Sequence, residues 1–456
     1  MRDDSQIRQR AEPRATHPPA RPERRGGFLG AWDQLVGPTP LPALPRRRGR
    51  PPRIPLTTLL PALIFHVMQE MGTLGEHLFE LTGESLADSS WSDRRARVPW
   101  QVFADLMRRV LQPQATPRRH PDAFWRGWRL LALDGTQFSL TNTPQVSTAK
   151  RKARTRRGAA AFAKLTTAVL LEVGLHNPLA AAIGRDDESE WALAVRLLAQ
   201  LPAKALLLGD RLYGCGAFAT LALSACQRVG SHFLLRARST IKPGVVECLK
   251  DGSRLILVPV YAGAGSSRIV DWLRLREIRV RVGRRGHRTK EVRLWTTLLD
   301  PATAPALELG ELYARRWEHE LYYREVKRQL RKTDVLQSHT PETGAQEIAA
   351  LVLASALLAS ERVRAANGEV PVLRISFARV LRVANAMWLA VELGDGVLTE
   401  PQIDAILKRG YARMRRYLTP ARRPRSCPRA VRQPVTGWPR LLKPDSIEEP
   451  LTFTIV

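Results

Sequence analysis

The sequence predicts a mixed α/β layer fold with a helical N-terminal domain, a β-rich insertion and a basic C-terminal tail, and three patterns carry that expectation. Short apolar runs at Leu130 to Leu133, Leu165 to Val173 and Ala205 to Leu208 read as buried strands, with a helical segment at Glu190 to Leu201 between two of them. Between Phe233 and Leu299 residues alternate, as at Leu273, Leu275, Ile278, Val280 and Val282, which is the period of a strand. From Leu56 to about Leu111 apolar residues recur instead at helical spacing, with Leu78 and Leu81, then Phe103, Leu106 and Val110.

At 456 residues and 44% hydrophobic content the chain can fill sizeable cores in two or more domains. Its 72 Lys and Arg against 43 Asp and Glu leave a formal charge of +29, so a polyanion is the expected partner. A membrane surface is the competing polyanion. The apolar stretches Leu56 to Met68 and Ile348 to Ser360 fall short of the ~20 residues that span a bilayer, and both read as buried helices. No apolar h-region follows the N-terminus, so neither a secretory signal nor a membrane partner is expected. Cys215, Cys226, Cys248 and Cys427 form no CxxC pair and have no His at zinc-finger spacing, which points to ordinary thiols in a reducing cytoplasm.

Taken in order, residues 1–45 are rich in Pro, Arg and Gly and lack apolar periodicity, so they read as a basic, disordered arm. Residues 46–124 form the helical domain, a DNA-binding candidate. It opens with Arg46-Arg47-Arg48-Gly49-Arg50-Pro51-Pro52-Arg53, readable as a minor-groove hook or as a solvated linker. Ser90 and Ser92 are plausible caps there, and Arg94, Arg95 and Arg97 are either phosphate contacts or a solvated face. Residues 125–232 hold the first strands, and 233–299 the hairpin-rich insertion, with a turn at Arg284-Arg285-Gly286-His287. Residues 300–390 return to helix from near Ala306, with a break around Thr340-Pro341, and 391–456 are expected to be a basic, Pro- and Arg-rich tail.

Asp134 and Asp210 each end an apolar run, where open sheets place reactive groups. Two such carboxylates can share a hard divalent cation, Mg²⁺ or Mn²⁺, although an Asp before Gly is also a common turn residue. Tyr313, Arg316, Glu320 and Lys327 are successively three, four and seven residues apart. On one helix these steps turn through roughly 300°, 400° and 700°, which leaves all four within an arc of about 60°. At this point two readings stay open, a face that meets metal and phosphate, and an exposed charged stripe.

The string Tyr313-Ala-Arg-Arg316-Trp317-Glu-His-Glu320-Leu-Tyr-Tyr-Arg-Glu-Val-Lys327 resembles the Y-x2-R-x3-E-x6-K signature of bacterial DDE transposases in the insertion-element-four family. Leu133-Asp134-Gly135-Thr136 and Gly209-Asp210-Arg211-Leu212-Tyr213 resemble the family's two aspartate strands. Thr340-Pro341, Gln346-Glu347 and Ser376-Phe377 resemble its C-terminal region. The likeness spans about residues 125 to 385. It implies a ribonuclease-H-like catalytic core interrupted by a β-rich insertion, and a metal-dependent enzyme that cuts transposon ends and joins them to target DNA.

Carried over residue by residue, Asp134, Asp210 and Glu320 would be the catalytic residues and metal ligands for two Mg²⁺ ions, with Mn²⁺ a possible substitute, set roughly 3.5 to 4 Å apart. Tyr313, Arg316 and Lys327 would bind nucleic acid at phosphates. The implied partners are double-stranded DNA, as terminal inverted repeats and target, and further copies of the chain, a homodimer or higher multimer. The implied location is the bacterial cytoplasm, at the nucleoid. The alternative is a catalytically inactive or domesticated DNA-binding relative, and a nuclease without strand transfer is a third reading. Against the family pattern, His319 replaces an apolar residue and Asn142 stands where an Asp often follows the first strand. Trp272 and Trp295 are each either a base-stacking residue for hairpin formation or a core tryptophan. The run from Lys150 to Arg157 reads as DNA channel or as solvated loop.

Overall fold

Strands covered on both faces have no solvent side to keep polar, which is why continuous apolar runs mark the middle of the sheet. The computed structural model describes residues 26–38, 40, 54–155, 158–263, 265–282, 290–331, 333–416 and 418–420. In it β2 (Trp128–Ser139), β5 (Lys164–Glu172), β6 (Asn177–Gly184), β7 (Ala205–Gly209) and β8 (His232–Arg236) lie in the order β6-β5-β2-β7-β8. β5 runs antiparallel to β2 and β6, whereas β7 is parallel to β2 and β8 to β7. The same sheet continues antiparallel through β12 (Lys290–Thr296), β11 (Ile269–Val282), β10 (Arg254–Tyr261) and β9 (Gly244–Cys248). The stretch read from sequence as an insertion thus contributes strands to the edge of the central sheet. Short strands complete the inventory: β1 (Phe124–Trp125) pairs with the start of β2, and β3 (Arg154–Thr155) with β4 (Gly158–Ala159).

Pleating divides the central residues between two layers. Leu131, Leu133, Leu207 and Leu235 pack in one cluster with Leu193 and Leu197 of α7 (Glu190–Leu198) and Phe218 and Ala222 of α8 (Gly216–Arg228). Leu130, Ala132, Leu206, Leu208 and Leu234 pack on the other face with Leu309 and Leu312 of α9 (Ala306–Tyr313). Alternation therefore sends Asp134 and Asp210 toward the α9 layer and Gly135 toward α7.

A third body of helices surrounds α11 (Pro341–Ala366), which packs against β6 and against α2 (Leu56–His66), α5 (Trp100–Val110), α12 (Phe377–Leu393) and α13 (Glu400–Arg415). Thr340 caps α11 with a reciprocal pair to Thr343. By length and composition α11 could cross a membrane, but 94% of that window is buried inside this fold. α3 (Leu74–Thr82) and α4 (Asp88–Ala96) complete the N-terminal helices, and α6 (Pro144–Ala149) follows β2.

Several expectations change here. Within 1–45, α1 (Phe28–Val36) buries Phe28 and Trp32 against α2 and α12, because two large aromatics suffice to dock one short helix. Within 391–456, α12 runs on to Leu393 and α13 docks through Met414 and the Gly410 contact to Met387, so the basic composition of its outer face hides a packed inner one. Ser90 and Ser92 lie inside α4, whose N-cap is Ala87. Arg94 donates to the Ile54 carbonyl, and Arg95 to Gln346, Ser338 and the Thr343 carbonyl, so these two join helices while Arg97 is exposed. The 46–53 basic string and the Arg284–His287 turn lie outside the described residues.

Candidate active site

The two aspartates are brought together by strand register. β2 and β7 pair as far as Leu133 and Gly209, so Asp134 and Asp210 stand one step past the last rung, on neighbouring strands ~5 Å apart. Asp134 is not at a strand end as expected, because β5 goes on pairing with β2 to Ser139 after β7 has stopped. Asp210 does follow its strand, and its Oδ1 accepts from Leu212 N–H at 2.6 Å, which fixes the turn. That turn comes so close to β8 that a Cβ at Gly214 would lie 1.9 Å from the Arg236 carbonyl oxygen, which only glycine avoids.

The segment expected as one helix departs from α winding at two places. α9 gives way to a 3₁₀ turn at Ala314–Arg316, α10 (Trp317–Glu325) follows, and a π turn spans Val326–Leu330. Three of the four signature side chains nevertheless reach the sheet, and the fourth, Glu320, is joined to it through Arg316. Arg316 donates to Asp134 Oδ2 at 3.1 Å and to Glu320 Oε1 at 3.0 Å. The Tyr313 phenol donates to the Gly209 carbonyl at 3.2 Å. Lys327 Nζ donates to Thr136 Oγ1 and to the Gln137 carbonyl, and lies 5.0 Å from the Phe138 ring centre. A further phenol, Tyr323, donates to the Asp134 carbonyl at 2.9 Å. The charged-stripe reading is thereby replaced by an inward face.

Burial sets the electrostatics. It pushes the Asp134 carboxyl up to about 7, with Arg316 opposing and Asp210, and then Glu190, adding to the rise. Burial likewise pulls Lys327 down to about 8, helped by Arg331 and Lys164, and pushes Tyr313 up to about 12. His319 is fully buried, its Nε2 bonded to the Val169 carbonyl at 2.9 Å, and burial pulls it down to about 3. It is a neutral core group, which explains how it stands where the family pattern has an apolar residue. Asn142 donates to the Ala161 carbonyl at 3.1 Å, away from the acids.

A fourth carboxylate is present that the sequence reading passed over. Glu190 opens α7, its Oε1 accepts from the Tyr213 phenol at 3.0 Å, and its carboxyl is pushed up by burial first and by Asp210 as well. The available signal was the strand-to-helix junction after β6, a strand parallel to β2 through their shared neighbour β5.

Of the remaining candidates, Trp295 is fully buried and its indole donates to Glu277 at 3.2 Å, whereas Trp272 is 50% exposed. Lys150 is buried on the Arg185 carbonyl and Asp187, while Arg151 and Lys152 are exposed. A cavity of about 760 Å³, lined by His66, His77, Arg95, Arg331 and Glu347 among others, lies between the N-terminal helices and α11 and includes none of the acids above.

The donor set suits a hard divalent cation, since Asp134, Asp210 and Glu320 offer only carboxylate oxygens. The cost that burial places on the Asp134 charge is one such an ion would relieve. As placed, no group of three or more acid, His or Cys side chains among the described residues is close enough to hold an ion. Arg316 stands between Asp134 and Glu320 instead.

Comparison with known proteins adds independent findings. The family model described as a transposase DDE domain matches residues 125–357. The transposase InsG for insertion sequence element IS4 of Escherichia coli (strain K12) is 27% identical over 333 residues, 71% of this chain and 71% of that protein. The putative transposase InsZ of the same organism is 30% identical over 164 residues, 36% of this chain and 54% of that protein. A cryo-EM structure of the piggyBac transposase synaptic complex with hairpin DNA covers 84% of this chain and 81% of its own, with a TM-score of 0.41 and 10% sequence identity.

Proposed function

Since the chain belongs to the transposase DDE-domain family and is an IS4-like DDE transposase acting in DNA transposition, we propose that Asp134, Asp210 and Glu320 are its catalytic carboxylates. The observation that carries this reading is that strand register sets Asp134 beside Asp210 while Arg316 links Asp134 to Glu320. The strand order, with one antiparallel arm and one parallel arm about β2, supports a ribonuclease-H-like core with the added strands at its edge.

Transposases of this family use divalent metal ions; we assign two Mg²⁺, replaceable by Mn²⁺, to the three carboxylates. When bound, the ions supply a polarised nucleophile, water or a DNA 3′-hydroxyl, and stabilise the leaving oxygen of the cut strand. The protein's own residues do the rest. Asp134 and Asp210 hold ligand oxygens on adjacent strands, which a sheet keeps rigid, and Glu320 closes the set from α10. Tyr313 and Tyr323 tie the Gly209 and Asp134 backbones to the helical segment, fixing its depth. Arg316 holds positive charge beside Asp134 and Glu320, and Lys327 beside Thr136 further along β2, where scissile and flanking phosphates would arrive.

The substrate in this proposal is the terminal inverted repeat of the element that carries the gene, then target DNA. A homodimer or larger assembly engages both ends, at the nucleoid. The +29 charge supports DNA as partner. The test incubates protein, Mg²⁺ and a duplex bearing the element end, followed by a target plasmid. Nicking and joining are expected from the natural chain and neither from Asp134→Asn, Asp210→Asn or Glu320→Gln. Undiminished cleavage by any of the three overturns the assignment.

A further inference from the structure

Glu190 is explained by none of the roles above, yet its surroundings are specific. A Cβ at Gly135 would stand 2.3 Å from Glu190 Cγ and Cδ and 2.7 Å from Oε2. The backbone of the residue after Asp134 therefore runs directly under this carboxylate, and glycine there leaves it room. The Gly135 N–H, which donates to Asp134 Oδ1 at 2.9 Å, also acts on the Glu190 carboxylate. On its other side Glu190 accepts from Tyr213, whose ring is fully buried and lies three residues after Asp210. Tyr213 also packs on Phe218 of α8, with ring centres 4.8 Å apart, so its phenol cannot wander. One carboxylate thus bridges the strand of the first aspartate and the turn of the second, across the gap where β2–β7 pairing has ended.

We propose that Glu190 is a positioning residue, a strut that fixes the separation of Asp134 and Asp210 through Gly135 on one side and the Tyr213 phenol on the other. A sheet normally sets that spacing by ladder hydrogen bonds, but the two aspartates lie one step beyond the last rung. The strut replaces the missing rung with a side-chain bridge. Its start at the first residue of α7, after the Ser189 cap, holds the carboxylate on a fixed helix end rather than on a loop. This inference rests on the proposed role of Asp134 and Asp210, and its experiment separates the two.

The experiment titrates Mn²⁺ against the full chain, reading free ion by electron paramagnetic resonance, and records the Mn²⁺ concentration for half-maximal nicking and a thermal melt. Variants are Glu190→Ala, Glu190→Gln, Tyr213→Phe, Gly135→Ala and the double Glu190→Ala/Tyr213→Phe, with Asp134→Asn and Asp210→Asn alongside. Outer-shell groups of metal sites typically govern affinity by roughly 10- to 100-fold. Glu190→Ala and Tyr213→Phe should each weaken Mn²⁺ binding within that range while the fold melts normally. The double variant should be no worse than Glu190→Ala, since one link is cut either way. Glu190→Gln keeps an oxygen for the phenol and should recover much of the loss, whereas Gly135→Ala pushes the carboxylate aside and should resemble Glu190→Ala.

The strut is overturned if Tyr213→Phe binds Mn²⁺ like the natural chain while Glu190→Gln is as weak as Glu190→Ala, the pattern of a direct ligand. Unchanged affinity in all Glu190 and Tyr213 variants overturns it too. If instead the two aspartate variants bind Mn²⁺ and nick normally, the site assignment itself has failed.

Discussion

Replacing Arg316 by glutamine removes a cation that touches both Asp134, at 3.1 Å, and Glu320, at 3.0 Å. The two contacts are unequal. The Glu320 side chain is 38% exposed and one helical turn away, so that pair contributes about 0.3 to 0.5 kcal/mol. The Arg316 and Asp134 side chains are each 14% exposed, and breaking so enclosed a pair can cost about 3 kcal/mol. Asp134 has an escape, because burial already raises its carboxyl from 3.8 to about 7 with Arg316 present. A carboxyl raised on folding makes the folded state lose stability as pH climbs from the unfolded value to the folded one. In the natural chain that loss stops near pH 7; without Arg316 the folded value moves higher and the loss continues at about 1.4 kcal/mol per pH unit. Arg316→Gln should therefore cost about 0.5 kcal/mol at pH 6.5, where Asp134 is mostly protonated in both proteins, and about 2 kcal/mol near pH 8.5. Urea unfolding in EDTA at the two pH values measures this. A cost that is equal at both, or larger at pH 6.5, refutes the reasoning.

Other outcomes follow from the same structure. Trp295→Ala empties a fully buried site and should destabilise by about 3 to 5 kcal/mol, while Trp272→Ala, half-exposed, should stay within about 0.5 kcal/mol; urea midpoints compare them. Burial, aided by Arg331 and Lys164, lowers Lys327 to about 8, so the natural chain gains stability as pH rises from there toward the ordinary lysine value of 10.5. The stability of Lys327→Met relative to it should fall across that window, and its affinity for DNA ends should be reduced at pH 7; a pH-independent difference contradicts the first point. DNA affinity should drop by several orders of magnitude between roughly 50 and 200 mM salt, measured by fluorescence anisotropy, and a flat response would speak against phosphate contacts.

The sequence was most legible where physics leaves few choices. Leu130 to Leu133 and Ala205 to Leu208 are apolar on both faces because both faces are covered, so they announce central strands. The continuation of β2 to Ser139 was hidden, since Thr136 and Gln137 are polar and the ladder that holds them comes from β5. α1 and α13 were hidden by composition, as a few packed residues such as Trp32 and Met414 sit among Pro and Arg. Arg95 reads as a phosphate contact until Gln346 and Ser338, some 250 positions on, are seen to receive it. Spacing singles out Tyr313, Arg316, Glu320 and Lys327 but leaves a charged stripe possible; the family signature gives them roles, and Arg316 still joins Asp134 to Glu320 although the winding passes through 3₁₀ and π turns. Glu190 escaped because its link to Asp134 and Asp210 is made in space, with no fixed interval along the chain.

The proposed assignment of the DNA-cutting metal ions to Asp134, Asp210 and Glu320 is tested most directly by a change of metal preference. Asp210→Cys replaces a hard oxygen by a softer sulfur, which Mn²⁺ accepts far better than Mg²⁺. Nicking of an element-end duplex by this variant should be absent in Mg²⁺ and return in Mn²⁺, while the natural chain works in both. Full activity of Asp210→Cys in Mg²⁺ would contradict the account.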